Sequence, residues 1–158
     1  MSKTKTITLA GVTAALVFAA TFFIRIPSPV GYVNAGDAVI LIMAGFLGGA
    51  PLAAAAAVGS ALADIIGGYA IYAPATTIIK GLMGLLAGAA LFGKPRSVRR
   101  TLLIGVLCNA IMVGGYFLND WILYGFETAV TAIVTNGAQA LAALVAAVAV
   151  AALLRKRN

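Results

Sequence analysis

Apolar runs long enough to cross a bilayer, punctuated by three short basic clusters, limit what this chain can fold into more than any other feature. Nine of the eleven Lys and Arg residues form the clusters Lys3/Lys5, Lys94/Arg96/Arg99/Arg100 and Arg155/Lys156/Arg157. The four acidic residues, Asp37, Asp64, Asp120 and Glu127, all fall between them. A helix needs about 20 apolar residues to cross the hydrocarbon core, and basic residues beside such spans stay on the cytoplasmic side. Spans are expected at about 6–24, 36–48, 51–67, 75–93, 101–119 and 129–154. Six spans put both termini and all three basic clusters on the cytoplasmic face. Fusing the second and third into one helix would split the clusters across the membrane. Pro51, after the break Gly48-Gly49-Ala50, suits the first turn of a new helix, where its missing N–H costs nothing. The expected fold is an all-α integral membrane protein, a single six-helix transmembrane domain over residues 1–158.

Only 9% of the residues are charged and the mean hydropathy is +1.08. A soluble domain carries roughly 25% charged residues, so a water-soluble fold is excluded. The net charge of +7 does not indicate nucleic acid, because the basic residues flank apolar spans and form no stripe with interleaved aromatics. They serve as topology anchors beside the lipid head groups. Histidine is absent and Cys108 stands alone in an apolar segment, which removes disulfides, Cys/His zinc sites and Cys–His catalysis. Lys3 and Lys5 before the first apolar run resemble a signal peptide, but no small-x-small cleavage site with a soluble region follows. No nucleophile elbow, phosphate-cradling loop or carboxylate cluster is present. Neither an enzyme nor a bound cofactor or metal is expected.

The few polar groups gather toward the face opposite the basic clusters. Three outer loops are expected, at 25–34, 67–74 and 119–127, and they hold Tyr32, Tyr69, Tyr72, Trp121 and Tyr124. Aromatics at this depth serve either as interfacial belt residues or as walls of a site. Pro27 and Pro29 disfavour helix in the first loop. Polar groups inside a bilayer face a partner, a cavity or a ligand. Lys80 lies about 8 Å below the outer boundary at 1.5 Å per residue, and Asp64 is at similar depth, so an Asp64–Lys80 ion pair is expected, either structural or in contact with ligand. Asn109 and Tyr116 share a face of the fifth helix, and Asn136 and Gln139 a face of the sixth. The outer half of the bundle thus holds a polar set that the inner half lacks, which points to a pocket open outward and not to a through-channel.

Small residues let helices approach closely in lipid. Gly84 and Gly88 align on the fourth helix, and Ala10-x-x-x-Ala14 runs beside Ala15-x-x-x-Ala19 on the first. Such faces pack within the bundle or receive another subunit, and the spacing alone leaves both open.

Three stretches carry a family resemblance: Gly31-Tyr-Val-Asn-Ala-Gly-Asp-Ala-Val-Ile40, Gly59-Ser-Ala-Leu-Ala-Asp-Ile-Ile-Gly-Gly-Tyr69 and Tyr72-Ala-Pro-Ala-Thr-Thr-Ile-Ile-Lys-Gly81. Together they resemble the substrate-binding S component of energy-coupling factor (ECF) vitamin transporters, in the riboflavin, hydroxymethylpyrimidine or pyridoxine subgroup. The resemblance implies a prokaryotic plasma-membrane protein with an outward-facing vitamin site under a lid, here Arg25–Asn34. It implies a transmembrane coupling subunit and two cytoplasmic ATPases as partners, with Ala10 and Ala14 at the docking face. It also implies inward delivery by toppling of the whole subunit. The expected site has Tyr32 and Asn34 closing from the lid, Asp64 and Lys80 orienting polar substituents, and Tyr69, Tyr72, Tyr116 and Trp121 as walls. Asn109, Asn136 and Gln139 would bond the ring edge. Pyridoxine or hydroxymethylpyrimidine is the first expected ligand and riboflavin the next. The alternative is a stand-alone, ion-coupled secondary transporter using Asp64 or Lys80.

Overall fold

The structure is a computed structural model that describes residues 2–28, 31–95 and 97–155. Arg96 and Lys156/Arg157 of the basic clusters, and Pro29 of the first loop, lie outside the described residues. In chain order the elements are α1 (Lys3–Phe23), β1 (Arg25–Pro27), β2 (Tyr32–Asn34), α2 (Gly36–Met43), α3 (Gly49–Ile66), a 3₁₀ turn (Ala70–Tyr72), α4 (Ala73–Leu91), α5 (Val98–Tyr124) and α6 (Phe126–Arg155). Five helical segments among the described residues are long and apolar enough to cross a membrane. The all-helical expectation holds, with one small β-hairpin added.

The second expected span is different from the other five. At eight residues α2 reaches about 12 Å, far short of a hydrocarbon core of about 30 Å. Turns at Ala44–Leu47 complete the passage to α3. This segment survives in a membrane protein because it is buried in protein: Asp37, Ile40, Ala44 and Leu47 are fully inaccessible. Non-helical backbone at membrane depth is tolerated only in such places.

The first expected loop is an antiparallel hairpin, with Arg25 opposite Asn34 and Pro27 opposite Tyr32. Gly31, at φ +74°, supplies the left-handed residue at its tip. The third expected loop, at 119–127, does not form. Helix α5 continues to Tyr124 and α6 begins at Phe126, leaving Gly125 alone between them. Its φ of 91° and ψ of 165° belong to a region open essentially to glycine only, which is how one residue reverses the chain.

Small residues set the helix spacing. A Cβ on Gly84 would stand 2.8 Å from the Leu52 carbonyl oxygen, and one on Gly88 would stand 2.8 Å from Gly49 Cα, so α3 and α4 pack backbone to backbone. On the other side of α3, a Cβ on Gly59 would meet the Ala14 carbonyl oxygen at 2.5 Å. Ala10 and Ala14, the pair expected to form a docking face, are half-buried, Ala10 packing against the core and Ala14 beside α3. The exposed small residues of α1 are Gly11 and Ala15, and the space a side chain would occupy at Gly11 is open. The core runs through Val17, Ile40, Leu52, Met83 and Met112. Large apolar side chains such as Ile122 and Val134 lie exposed on the outside, as a lipid-facing surface requires.

Candidate functional site

Under the hairpin, between the helices, lies a cavity of about 450 Å³ counting its open mouth. Eight of the residues expected at a site line it: Tyr32, Asn34, Asp64, Tyr72, Lys80, Tyr116, Asn136 and Gln139. They come from β2, α3, α4, α5 and α6 and from the turn before α4, so only the assembled bundle brings them together.

One wall is a closed hydrogen-bonded network. Lys80 Nζ lies 2.5 Å from Asp37 Oδ1, and both side chains are almost inaccessible. Gln139 donates from Nε2 to the other Asp37 oxygen at 2.5 Å. The Gln139 Oε1 accepts from the Asn34 backbone N–H at 2.7 Å and from Asn34 Nδ2 at 3.2 Å. Asn34 Oδ1 in turn accepts from the Gly36 N–H at 2.9 Å, satisfying a free N–H at the start of α2. Asp37, in the first turn of that helix, gains from the positive end of the helix dipole. Lys80 also sits 5.1 Å from the centre of the Tyr116 ring, within cation–π range.

This geometry corrects the expected Asp64–Lys80 pair. The partner of Lys80 is Asp37, fully buried in the first turn of α2. Asp64 is engaged elsewhere, accepting from the Tyr32 hydroxyl at 2.5 Å. Burial, reinforced by that carboxylate, pushes the Tyr32 phenol far above its ordinary pKa, so it stays protonated and donating. The bond ties the hairpin to α3. Arg25 adds a second tie: its guanidinium lies over the Phe22, Tyr32 and Tyr69 rings at 4.8, 5.7 and 5.9 Å and donates to the Gly67 carbonyl at 3.4 Å.

The opposite wall is open. Thr21 Oγ1, Ser60 Oγ and Asp64 Oδ2 are buried, line the cavity with their residues, and lack a hydrogen-bond partner. The Tyr72 hydroxyl is buried too, with Tyr124 and Asp120 as its polar neighbours. Leaving buried polar atoms unpaired costs about 1–3 kcal/mol each, a cost that a polar group entering the cavity would relieve. Thr76 is paired with the Tyr116 hydroxyl at 3.0 Å and also lies beside the Asp64 carboxylate.

Three of the expected residues do not line this cavity. Asn109 sits two turns along α5 from Tyr116 and donates to the Ala140 carbonyl at 2.8 Å, clamping α5 to α6. Trp121 is half exposed and packs on Phe117 and Phe126. Tyr69 packs at a tilt of 56° on Tyr32 with centroids 4.7 Å apart and faces a second, outer recess that also meets Gly31, Tyr72 and Tyr124. The cavity adds Thr21, Ser60, Thr76 and Asp120 to the expected set, with Asp37 behind Lys80. Two of these carried a signal: Ser60 precedes Asp64 by one helical turn, and Asp37 stands in the Gly-Asp signature.

Comparison with known proteins agrees with this architecture. Residues 1–156 match the family model described as "ECF-type riboflavin transporter, S component". A protein of Pyrococcus woesei, described as "Uncharacterized protein in gap 3'region", is 36% identical over 140 residues, covering 87% of this chain and 93% of the relative. The crystal structure of FolT bound with folic acid superposes with a TM-score of 0.77 at 20% identity, covering 91% of this chain and 90% of that one. At that identity the likeness speaks for the fold. The protein belongs to the family of ECF transporter S components, multi-pass membrane proteins of vitamin uptake.

Proposed function

We propose that the cavity under the hairpin is the vitamin site, open to the outside of the cell, and that a separate ATP-driven module powers inward delivery. The observation that carries this reading is the set of buried, unpaired polar atoms enclosed by helices from both ends of the chain. A fold that left such atoms unpaired for packing alone would lose stability without return. The substrate is a small heteroaromatic vitamin. Riboflavin, the ligand in the family description, moves ahead of pyridoxine and hydroxymethylpyrimidine. Tyr72 and Tyr116 supply aromatic faces, and the hairpin, held by Tyr32–Asp64 and Asn34–Gln139, acts as the lid.

Delivery requires the coupling subunit and its two ATPases, with the whole S component toppling. On α1 the exposed Gly11 and Ala15 take the docking role in place of Ala10 and Ala14. Titrating the purified chain with riboflavin, pyridoxine and hydroxymethylpyrimidine, followed by uptake in cells with and without the ATPases, tests both halves. Saturable binding of one vitamin and ATPase-dependent uptake are expected. Uptake by the purified protein alone, driven by an ion gradient, would overturn the proposal in favour of a secondary transporter.

A further inference from the structure

The two walls of the cavity differ in what they leave for a ligand. On the α4/α6 wall the one ammonium, Lys80, and the amide of Gln139 are already spent on Asp37. On the α1/α3 wall Thr21 Oγ1, Ser60 Oγ and Asp64 Oδ2 are unpaired, in side chains that are 2%, 1% and 3% exposed. A carboxylate oxygen only accepts, and a hydroxyl does either. This wall therefore offers acceptors and contains no obligate donor. Charge points the same way. Asp37, Asp64 and Asp120 surround the cavity region, and among the described residues Lys80 is the one cation lining it. Asp120 is 2% exposed, with the Asn119 amide at 3.5 Å. Arg25 is held outside, over the Tyr32 and Tyr69 rings and the Gly67 carbonyl. Lys80 is shared: it is paired with Asp37 and also lies within electrostatic range of Asp64, so one cation serves three acidic side chains.

We infer that the cavity selects a ligand that bears hydrogen-bond donors and no negative charge, and that Thr21, Ser60 and Asp64 read those donors. The inference rests on the vitamin-site reading above and specifies its substrate class. A phosphate or carboxylate entering here meets a carboxylate oxygen in a low-dielectric site, with no spare cation to accompany it. A hydroxyl or ring N–H meets three waiting acceptors. The donors have two possible sources in a flavin: the polyol chain or the ring imide.

The test uses the full-length purified protein in detergent. Its affinity is measured for riboflavin, riboflavin 5′-phosphate, lumichrome (the ring without its polyol), pyridoxine, pyridoxine 5′-phosphate and folate. The uncharged member of each pair is expected to bind at least about tenfold more tightly than its phosphate ester, and folate to bind no better than the esters. Asp64→Asn is expected to weaken the uncharged ligand by about tenfold, the scale of one charge-assisted hydrogen bond, and to narrow the gap to the ester. Ser60→Ala, which removes one hydroxyl and leaves the Tyr32–Asp64 bond in place, is expected to weaken binding severalfold while the protein remains folded. Loss on Asp64→Asn for riboflavin alone assigns the donors to the polyol, and equal loss for lumichrome assigns them to the ring; either supports the inference. A phosphate ester or folate that binds as tightly as an uncharged counterpart overturns the inference and leaves the vitamin site standing. So does unchanged affinity in folded Ser60→Ala and Asp64→Asn proteins. Binding of none of the six compounds overturns the vitamin-site reading and this inference with it.

Discussion

The α2/α4/α6 wall and the α1/α3 wall enclose the same cavity, yet they treat polar groups in opposite ways. On the first, Lys80, Asp37, Gln139 and Asn34 satisfy one another in an unbroken chain. On the second, Thr21, Ser60 and one oxygen of Asp64 are buried and unsatisfied. Burying polar groups in a bilayer protein is costly in both cases. The closed chain recovers that cost on folding, whereas on the proposed reading the open set recovers it on binding. The contrast teaches that the most conspicuous intramembrane charge, Lys80, is engaged within the fold, and that the less conspicuous hydroxyls are left without a partner.

The sharpest way to break this comparison is to remove one partner of the ion pair. Lys80→Met leaves Asp37 buried without a counter-charge, and a loss of about 3–5 kcal/mol of stability is expected, read as a large fall in the thermal unfolding midpoint in detergent. Adding Asp37→Leu should restore most of that loss, since apolar replacement of a whole buried pair is often neutral. A mild single variant would move Lys80 to the ligand-reading side. Next in size is Gln139→Leu, which strips Asp37 Oδ2 and the Asn34 N–H of their partners and is expected to cost about 1–3 kcal/mol. Gly125→Ala forces a side chain onto φ 91°, ψ 165° at the one-residue turn that sets α5 against α6. A similar loss of about 1–3 kcal/mol is expected, measured by the same unfolding scan.

On the open wall, Ser60→Ala should leave the ligand-free protein at least as stable, and by up to about 1–3 kcal/mol more so, because it removes a buried hydroxyl without a partner, while affinity falls. The smallest effect on the fold is expected at Gly11→Leu. No atom lies within 4 Å of the added Cβ, so unfolding and ligand affinity should stay as in the native chain. Co-purification with the coupling subunit should be lost. Retained assembly would place the docking face elsewhere.

Much of this could be read from the chain alone, for definite reasons. Tyr32, Asn34, Lys80 and Gln139 stand out because hydrophilic side chains in apolar spans must find each other, a cavity or a ligand. Helix faces are hard to read for one reason: lipid is as apolar as the core, so a spanning helix has no strong amphipathic signature to orient it. On the 27-residue α5 this hid which side Asn109 and Trp121 occupy. The same ambiguity conceals that Ala10 and Ala14 are half-buried while Gly11 and Ala15 are exposed. Asp37 escapes notice for a different reason: at the start of the second span it reads as a boundary residue, whereas in the fold it is fully buried in the first turn of α2 and pairs with Lys80. The loop expected at 119–127 failed because a single glycine can do the work of nine residues.

A structure of the protein with its vitamin bound tests the division of labour between the two walls most directly. The account predicts donor atoms of the ligand within hydrogen-bonding distance of Asp64 Oδ2, Ser60 Oγ or Thr21 Oγ1, with the Lys80–Asp37 pair still closed behind it. A ligand that opens that pair and takes Lys80 for itself, or that lies outside the cavity beneath the hairpin, would contradict it.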